Sequence, residues 1–335
     1  MLINIFFVLK NIKCFLLSFL ISIFFGYIYL YISKNNFNYI QKSKNINNIL
    51  DKNIPTFGGV YIILSIIISI LITLEINYLS LLIIISLFFY GILGFIDDFI
   101  KTYKYTNKNG LSKKYKFFFQ TIITIIILFY LYMNKKEFNY TILPFFGIYN
   151  IYNNIYIYYI FLYIIIISTS NAINITDGID GLCIKNIIYI LCFFIFSSYI
   201  NIKFYNFLYI DNIININLIF LGSCLSFLWF NCYPAQIFLG DTGSLSLGSS
   251  ISIISILLNK EFFLLINGII FVLETVSVII QIIFFNFFLK KKIFLMSPLH
   301  HHYQLKKIND CKIVERLSII SIIFNIIALL SIIII

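Results

Sequence analysis

Two adjacent carboxylates, Asp97 and Asp98, stand in the segment GFIDDFIKTYK directly after a long apolar run. If that run is a helix that continues through the segment, Lys101 lies about one turn away and shares their face. Adjacent carboxylates repel each other and shift each other's proton affinity unless a cation lies between them. The pattern predicts a site for a metal ion, or for a lysine with a phosphate. The alternative is a solvated helix end with an intrahelical ion pair.

A second polar segment, residues 171–182 with the sequence NAINITDGIDGL, lies between two further apolar runs. Asn171, Asn174, Asp177 and Asp180 recur every three positions, so on a helix they form one polar stripe. Ionisable groups close to a membrane are costly and usually functional. Glycines 178 and 181 leave room for a bulky ligand, so the segment predicts a binding site. An amphipathic helix end is the alternative.

A third carboxylate, Asp241, stands between glycines in FNCYPAQIFLGDTGSLSLG, just before a run of small residues. Backbone N–H groups at the start of a helix can face a phosphate, and this sequence favours such a start. The rings of Tyr233 and Phe238 are candidates for stacking on a base. A turn followed by a tightly packed helix is the alternative.

Two further segments complete the set. Residues 54–60, IPTFGGV, place Pro55 at a helix start and two glycines where another backbone or a ligand can approach closely. Residues 296–307 contain all three histidines of the chain in tandem, His300, His301 and His302. Histidines on a charged face suit phosphate binding or proton transfer. Helix packing and a solvated histidine cluster are the respective alternatives.

Composition indicates an integral membrane protein. The chain is 61% hydrophobic and 11% charged, whereas soluble domains are close to 45–50% apolar and 25% charged. Apolar runs long enough to cross a bilayer as helices recur along the whole chain, which predicts an all-α, polytopic helical bundle forming a single membrane domain over residues 1–335. The predicted spans are ten, at residues 14–32, 57–74, 78–95, 117–133, 154–170, 186–201, 213–230, 243–258, 262–289 and 317–335.

Charge predicts the topology. The connecting segments on one side, 33–53, 97–116, 171–185, 231–242 and 290–316, hold 18 of the 24 Lys and Arg residues. Cytoplasmic loops are enriched in these residues, so this side faces the cytoplasm and both termini face outward. All five polar segments fall on the cytoplasmic side. The net charge of +11 suits attraction to anionic lipid, and we expect no nucleic-acid binding. The six cysteines suggest neither a disulfide framework nor a zinc site.

The five motifs, in this order, resemble those of the phospho-N-acetylmuramoyl-pentapeptide transferases, within the polyprenyl-phosphate N-acetylhexosamine-1-phosphate transferases. The resemblance covers nearly the whole chain. It implies Mg²⁺-dependent transfer of phospho-MurNAc-pentapeptide from UDP to undecaprenyl phosphate, giving lipid I and UMP, the first membrane step of peptidoglycan synthesis. It also implies a homodimer in the bacterial inner membrane with its active site facing the cytoplasm, and a ninth helix that bends, within 262–289.

The resemblance also implies roles for individual residues. Asp241 corresponds to the Mg²⁺ ligand, and Asp97 and Asp98 correspond to the catalytic pair near the lipid phosphate. The residues implied to line the nucleotide and phosphate site are Lys52, Thr56, Lys101, Lys113, Asn171, Asn174, Asp177, Asp180, Asn231, Phe238, His300, His301 and His302. Independently of the resemblance, the lysines downstream of Asp98 are either ordinary cytoplasmic charge or phosphate ligands: Lys104, Lys108, Lys113, Lys114 and Lys116.

Two positions depart from the family pattern. Basic residues and Gly-Thr usually precede the PTMGG motif, whereas here only Lys52 is basic in residues 50–54. A glutamate usually follows the histidines where this chain has Gln304. Neither departure touches the predicted metal ligand, but both are expected to lower activity.

Three other functions compete with this prediction. A sister enzyme would use UDP-N-acetylglucosamine, and the HHHY run favours the muramoyl enzyme. An ion-coupled transporter would place its carboxylates near the bilayer midplane, whereas these aspartates fall at span ends. A structural membrane scaffold is the remaining alternative. Glu274 alone is acidic in mid-span, and its sequence context favours buried packing over catalysis.

Overall fold

The computed structural model describes residues 2–35, 40–42, 53–103, 110–134, 140–150, 155–200, 207–287 and 292–334. Its α-helices are α1 Leu2–Asn35, α2 Gly58–Thr73, α3 Tyr78–Tyr103, α4 Lys113–Asn134, α5 Ile155–Thr176, α6 Leu182–Ile200, α7 Phe207–Asn231, α8 Gly240–Leu257, α9 Leu264–Asn267, α10 Ile269–Phe287, α11 Leu299–Leu305 and α12 Asp310–Ile334. A 3-10 turn, Glu261–Phe263, precedes α9. Two antiparallel pairs, β1 Ile40–Lys42 with β2 Asn53–Pro55 and β3 Tyr140–Leu143 with β4 Gly147–Asn150, are the strands of the described part.

The predicted all-α membrane bundle is confirmed, since eight helices of the described residues are long and apolar enough to cross a bilayer. The chain is therefore a multi-pass membrane protein. The count of ten spans is not confirmed, because two of the predicted spans, at α2 and α8, are not among the eight. Helix α2 has 16 residues and falls just short. Helix α8 is rich in glycine and serine, which lowers its hydropathy. The apolar run 262–289 keeps one span, Ile269–Phe287, after the short helix α9.

Helix α8 is the centre of the bundle and packs against α2, α3 and α5. Its residues from Thr242 to Leu257 are all buried. All but one of the serine hydroxyls hydrogen-bond to carbonyls of the preceding turn, as Ser246 does with the Thr242 oxygen at 2.7 Å, and Ser250 pairs with the Ser86 hydroxyl of α3 at 2.8 Å. Because these side chains are small and satisfied, neighbouring backbones approach closely. Helix α8 therefore has both features considered for the segment around Asp241: a polar start and a tightly packed helix after it.

The contact of α3 with α8 depends on Gly94. A Cβ atom at this position would lie 2.3 Å from the backbone oxygen of Asp241, whereas a Cβ at Gly91, one turn earlier, would lie 2.8 Å from the flexible end of Ile63. We expect Gly94→Ala to lower the free energy of unfolding by about 1–3 kcal/mol because backbone cannot yield as a side chain can. Thermal unfolding in detergent, with Gly91→Ala as the matched control, measures this difference. Equal shifts in the two variants would contradict it.

Candidate active site

The N-terminus of α8 is capped by a carboxylate from α3. Asp98 is 3% exposed and accepts hydrogen bonds from the backbone N–H groups of Asp241 (3.1 Å) and Thr242 (2.9 Å). Its Oδ2 atom also accepts from the Thr242 hydroxyl at 2.7 Å. A negative charge here satisfies donors that the helix cannot and interacts favourably with the helix dipole. Asp98 therefore fixes the position of Asp241.

Two lysines lie between the carboxylates of Asp97 and Asp241. The Nζ atom of Lys101 lies 2.8 Å from Oδ2 of each aspartate. The Nζ atom of Lys116 lies 2.6 Å from Oδ2 of Asp241 and 3.4 Å from Oδ2 of Asp97. Opposite charges at these distances offset the repulsion between the acids. We call Asp97, Lys101, Lys116 and Asp241 the charged cluster.

Helix α5 adds one amide to the charged cluster. The Nδ2 atom of Asn174 donates to Oδ1 of Asp241 (2.9 Å) and to the Ser244 hydroxyl (2.8 Å). Asn171, one turn earlier, exchanges two hydrogen bonds with the side-chain amide of Gln120, at 3.3 and 3.0 Å. Asn174 thus orients the aspartate, while Asn171 joins α5 to α4.

The polar stripe predicted on one helix is wrong beyond Thr176, where α5 ends. Asp177 instead lies in the following turn and accepts a hydrogen bond from the backbone N–H of Gly240. Loss of solvent, followed by the charges of Asp241 and Asp98, raises the pKa of Asp177 to about 8. The turn closes at Gly181, whose φ of +77° is a conformation that glycine adopts readily.

Two side chains join this turn to the loop before α8. Asp180 accepts a hydrogen bond from the backbone N–H of Ala235 at 3.0 Å. Asn231 accepts from the N–H of Gly181 (3.1 Å) and donates to the carbonyl of Ile237 (2.9 Å). These hydrogen bonds hold the turn and the loop together at the edge of the site.

The segment 54–60 borders the site and is joined to the loop before α8 by backbone hydrogen bonds. Gly58 donates to the carbonyl of Phe238 at 3.0 Å, and Phe238 donates to the carbonyl of Pro55 at 2.9 Å. The Phe238 ring is half-buried and Tyr233 is exposed. Thr56 is buried, and its hydroxyl has no hydrogen-bond partner in the described part of the chain.

The histidines reach the site through α11. The backbone N–H of His300 lies 3.2 and 3.3 Å from the two carboxylate oxygens of Glu274 in α10. The ring Nδ1 lies 3.2 Å from Glu274 without hydrogen-bond alignment, so this is an ion-pair contact when the ring is protonated. A Cβ atom at Gly178 would lie 2.2 Å from Nε2 of His300. The room predicted for a ligand at Gly178 is therefore filled by a histidine.

The structure brings most of the predicted residues together at one end of the bundle, with two exceptions. Lys113 is the first residue of α4, exposed and outside the charged cluster. Lys52 lies outside the described residues.

Sequence reasoning left Lys116 among several lysines of undecided role, did not name Thr242 and left Glu274 unassigned. Ser112, a favourable N-cap residue directly before α4, was the available signal for Lys116, since it places that lysine one turn into the helix.

The charged cluster also shows how a cation would fit. The Oδ2 atoms of Asp97 and Asp241 both face the two ammonium groups, so this position attracts positive charge. Within the described ranges no three acidic, histidine or cysteine side chains converge as a metal cage. Mg²⁺ is commonly held by one or two carboxylates together with substrate phosphates and water, and the cluster suits that mode.

Comparison with known proteins supports the motif-based resemblance. The sequence profile described as glycosyl transferase family 4 matches residues 78–259. The phospho-N-acetylmuramoyl-pentapeptide-transferase of Buchnera aphidicola subsp. Acyrthosiphon pisum (strain APS) is 41% identical over 94% of this chain and 91% of its own length. That of Buchnera aphidicola subsp. Baizongia pistaciae is 45% identical over 83% of this chain and 84% of its own.

A more distant source gives the same name. The phospho-N-acetylmuramoyl-pentapeptide-transferase of Rickettsia prowazekii is 41% identical over 83% of this chain and 79% of its own length. The chain therefore belongs to glycosyl transferase family 4, and within it to the phospho-N-acetylmuramoyl-pentapeptide transferases.

Proposed function

We propose that this enzyme transfers phospho-MurNAc-pentapeptide from UDP-MurNAc-pentapeptide to undecaprenyl phosphate, releasing UMP and forming lipid I. The observation that carries the proposal is the charged cluster, in which two ammonium groups and two carboxylates meet at the capped start of α8. Attack by one phosphate on a diphosphate brings several negative charges together. Groups that offset this repulsion are the main requirement for phosphoryl transfer.

The chemical step is direct displacement. A phosphate oxygen of the lipid attacks the sugar-bearing phosphorus, a new P–O bond forms, and the bond to the UMP phosphate breaks as UMP leaves with the electron pair. Lys101 and Lys116 stabilise the charge of the phosphates, and Asp97 accepts any proton that the attacking phosphate still carries. Since Asp98 uses both carboxylate oxygens to cap α8, its part is to position Asp241.

Asp241 would hold Mg²⁺ together with oxygens of the substrate diphosphate, and the ion would supply further neutralisation of the phosphate charge. The residues around Asp241 orient it for this purpose, because Asn174 fixes one oxygen and Asp98 fixes its backbone. The proposed setting is a homodimer in the bacterial inner membrane with this site at the cytoplasmic face. The Lys and Arg bias of the flanking segments supports that orientation.

The purified enzyme in detergent tests the proposal. With UDP-MurNAc-pentapeptide, undecaprenyl phosphate and Mg²⁺ we expect UMP release matched by lipid-linked product, and no turnover when Mg²⁺ is chelated. UDP-N-acetylglucosamine in place of the muramoyl nucleotide is the control for the sister reaction. Turnover with that nucleotide alone would reject the proposed substrate. A phospho-enzyme trapped from the nucleotide without lipid would reject direct displacement.

A further inference from the structure

The three tandem histidines are held in three different ways, and His301 is held through two other side chains. Its Nδ1 atom lies 2.8 Å from Oε1 of Gln304. The Nε2 atom of Gln304 donates in turn to Oδ1 of Asp310 at 2.9 Å. Gln304 is 2% exposed and Asp310 is 7% exposed, so water competes little for these bonds.

The chemistry of these groups fixes where the proton of His301 lies. An ionised carboxylate only accepts hydrogen bonds, so the NH₂ group of Gln304 must face Asp310. The amide oxygen of Gln304 then faces His301, and that oxygen also only accepts. The Nδ1 atom of His301 must therefore carry a hydrogen.

The remaining ring nitrogen is then free to accept. Burial, followed by the neighbouring His300, lowers the pKa of His301 below its ordinary value, which favours the neutral ring near pH 7. A neutral imidazole with hydrogen on Nδ1 has a lone pair on Nε2. Among the residues that the structure describes, none forms a hydrogen bond with Nε2 of the half-buried His301.

His302 has the opposite arrangement. Its Nδ1 atom accepts a hydrogen bond from the backbone N–H of Leu295 at 3.1 Å, so its neutral ring carries the hydrogen on Nε2. His302 thereby ties the segment before α11 to the helix. Two adjacent histidines of one short helix are thus held as opposite tautomers. The tautomer of each can therefore be judged against that of the other.

We propose that Asp310 and Gln304 are positioning residues that hold His301 with its hydrogen on Nδ1, an inference that rests on the proposed function. Its Nε2 atom then accepts a hydrogen bond from a donor of the nucleotide-sugar substrate, such as a hydroxyl or amide N–H group. His301 differs in this from a phosphate ligand, which would have to donate. Gln304 is an acceptor for His301 that places no second negative charge beside Asp310.

Nitrogen NMR of the ¹⁵N-histidine-labelled enzyme tests the tautomers directly, because the chain has only three histidines. Single His→Gln variants assign the signals. We expect hydrogen on Nδ1 for His301 and on Nε2 for His302 in the wild type. Asp310→Ala lets the side-chain amide of Gln304 rotate so that its NH₂ group can face His301. Gln304→Met removes the amide oxygen that accepts from His301. Each variant should therefore give His301 a mixture of tautomers. Asp310→Asn keeps an acceptor and should leave the wild-type signals.

Kinetics separate positioning from stability. Loss of a partner that orients a metal-ligating histidine costs about 10- to 100-fold, and we expect a fall in kcat/KM of comparable size in Gln304→Met and Asp310→Ala. Asp310→Asn should retain near wild-type values. Hydrogen on Nε2 of His301 in the wild type, or on Nδ1 in both disrupted variants, would overturn the proposal. The NMR result holds even if UMP release fails, so failure of the proposed function remains distinguishable.

Discussion

Asp241→Asn is expected to lower kcat for UMP release at least about 10³-fold, a loss of about 4 kcal/mol of transition-state stabilisation. In the native site the Asp241 carboxylate faces the ammonium groups of Lys101 and Lys116. A neutral amide removes the charge that would hold Mg²⁺, and its NH₂ group repels the lysines when it points to them. Steady-state UMP release at saturating Mg²⁺ and both substrates measures the effect.

Asp211→Asn is the matched control for this variant. Asp211 is also a buried aspartate in an ion pair, with Lys10 at 2.7 Å. It lies 20 residues before the end of α7, so it is about 30 Å along the helix from the end that borders the site. The control should lose stability but keep its kcat. Undiminished Mg²⁺-dependent turnover in Asp241→Asn, or equal kcat losses in both variants, would remove Asp241 from the proposed mechanism.

The membrane bundle and its polar end could be predicted from the sequence because both depend on local signals. Long apolar runs must be helices in lipid, and the glycines and aspartates that interrupt them stand out from a strongly apolar background. The number of spans could not be derived in the same way. Helix α8 is surrounded by other helices instead of by lipid, so placing its serines in the membrane costs little free energy. Hydropathy therefore underestimates the tendency of this helix to lie in the membrane.

The partners of the site residues could not be predicted because they depend on tertiary packing. Gly178 suggested open space, yet His300, more than one hundred residues later, fills it. Glu274 looked like a packing residue, and only the position of α11 shows that it holds the backbone of His300. Asp98 could not be distinguished from Asp97 by sequence, since only the position of α8 shows that Asp98 caps a helix.

Lys116, at the start of α4, provides the other large expected effect. Lys116→Met should lower kcat/KM about 10²- to 10³-fold, the usual cost of losing one positioned donor to developing charge. The side chain of Lys116 is only 16% exposed and bridges Asp97 and Asp241, so methionine would also leave these two carboxylates less compensated. UMP release across a range of nucleotide concentrations separates the effects on KM and kcat.

Lys113→Met is the matched control, because the same change is made one turn earlier on the same helix. Lys113 is exposed, and substitutions at such positions usually change stability by no more than about 0.5 kcal/mol. Near wild-type kinetics in this variant, with a large loss in Lys116→Met, would assign the phosphate-binding role to Lys116. A large loss of kcat/KM in Lys113→Met, with near wild-type kinetics in Lys116→Met, would contradict this assignment. It would show that the start of the helix moves when substrate binds, since only such a movement would bring Lys113 to the charged cluster.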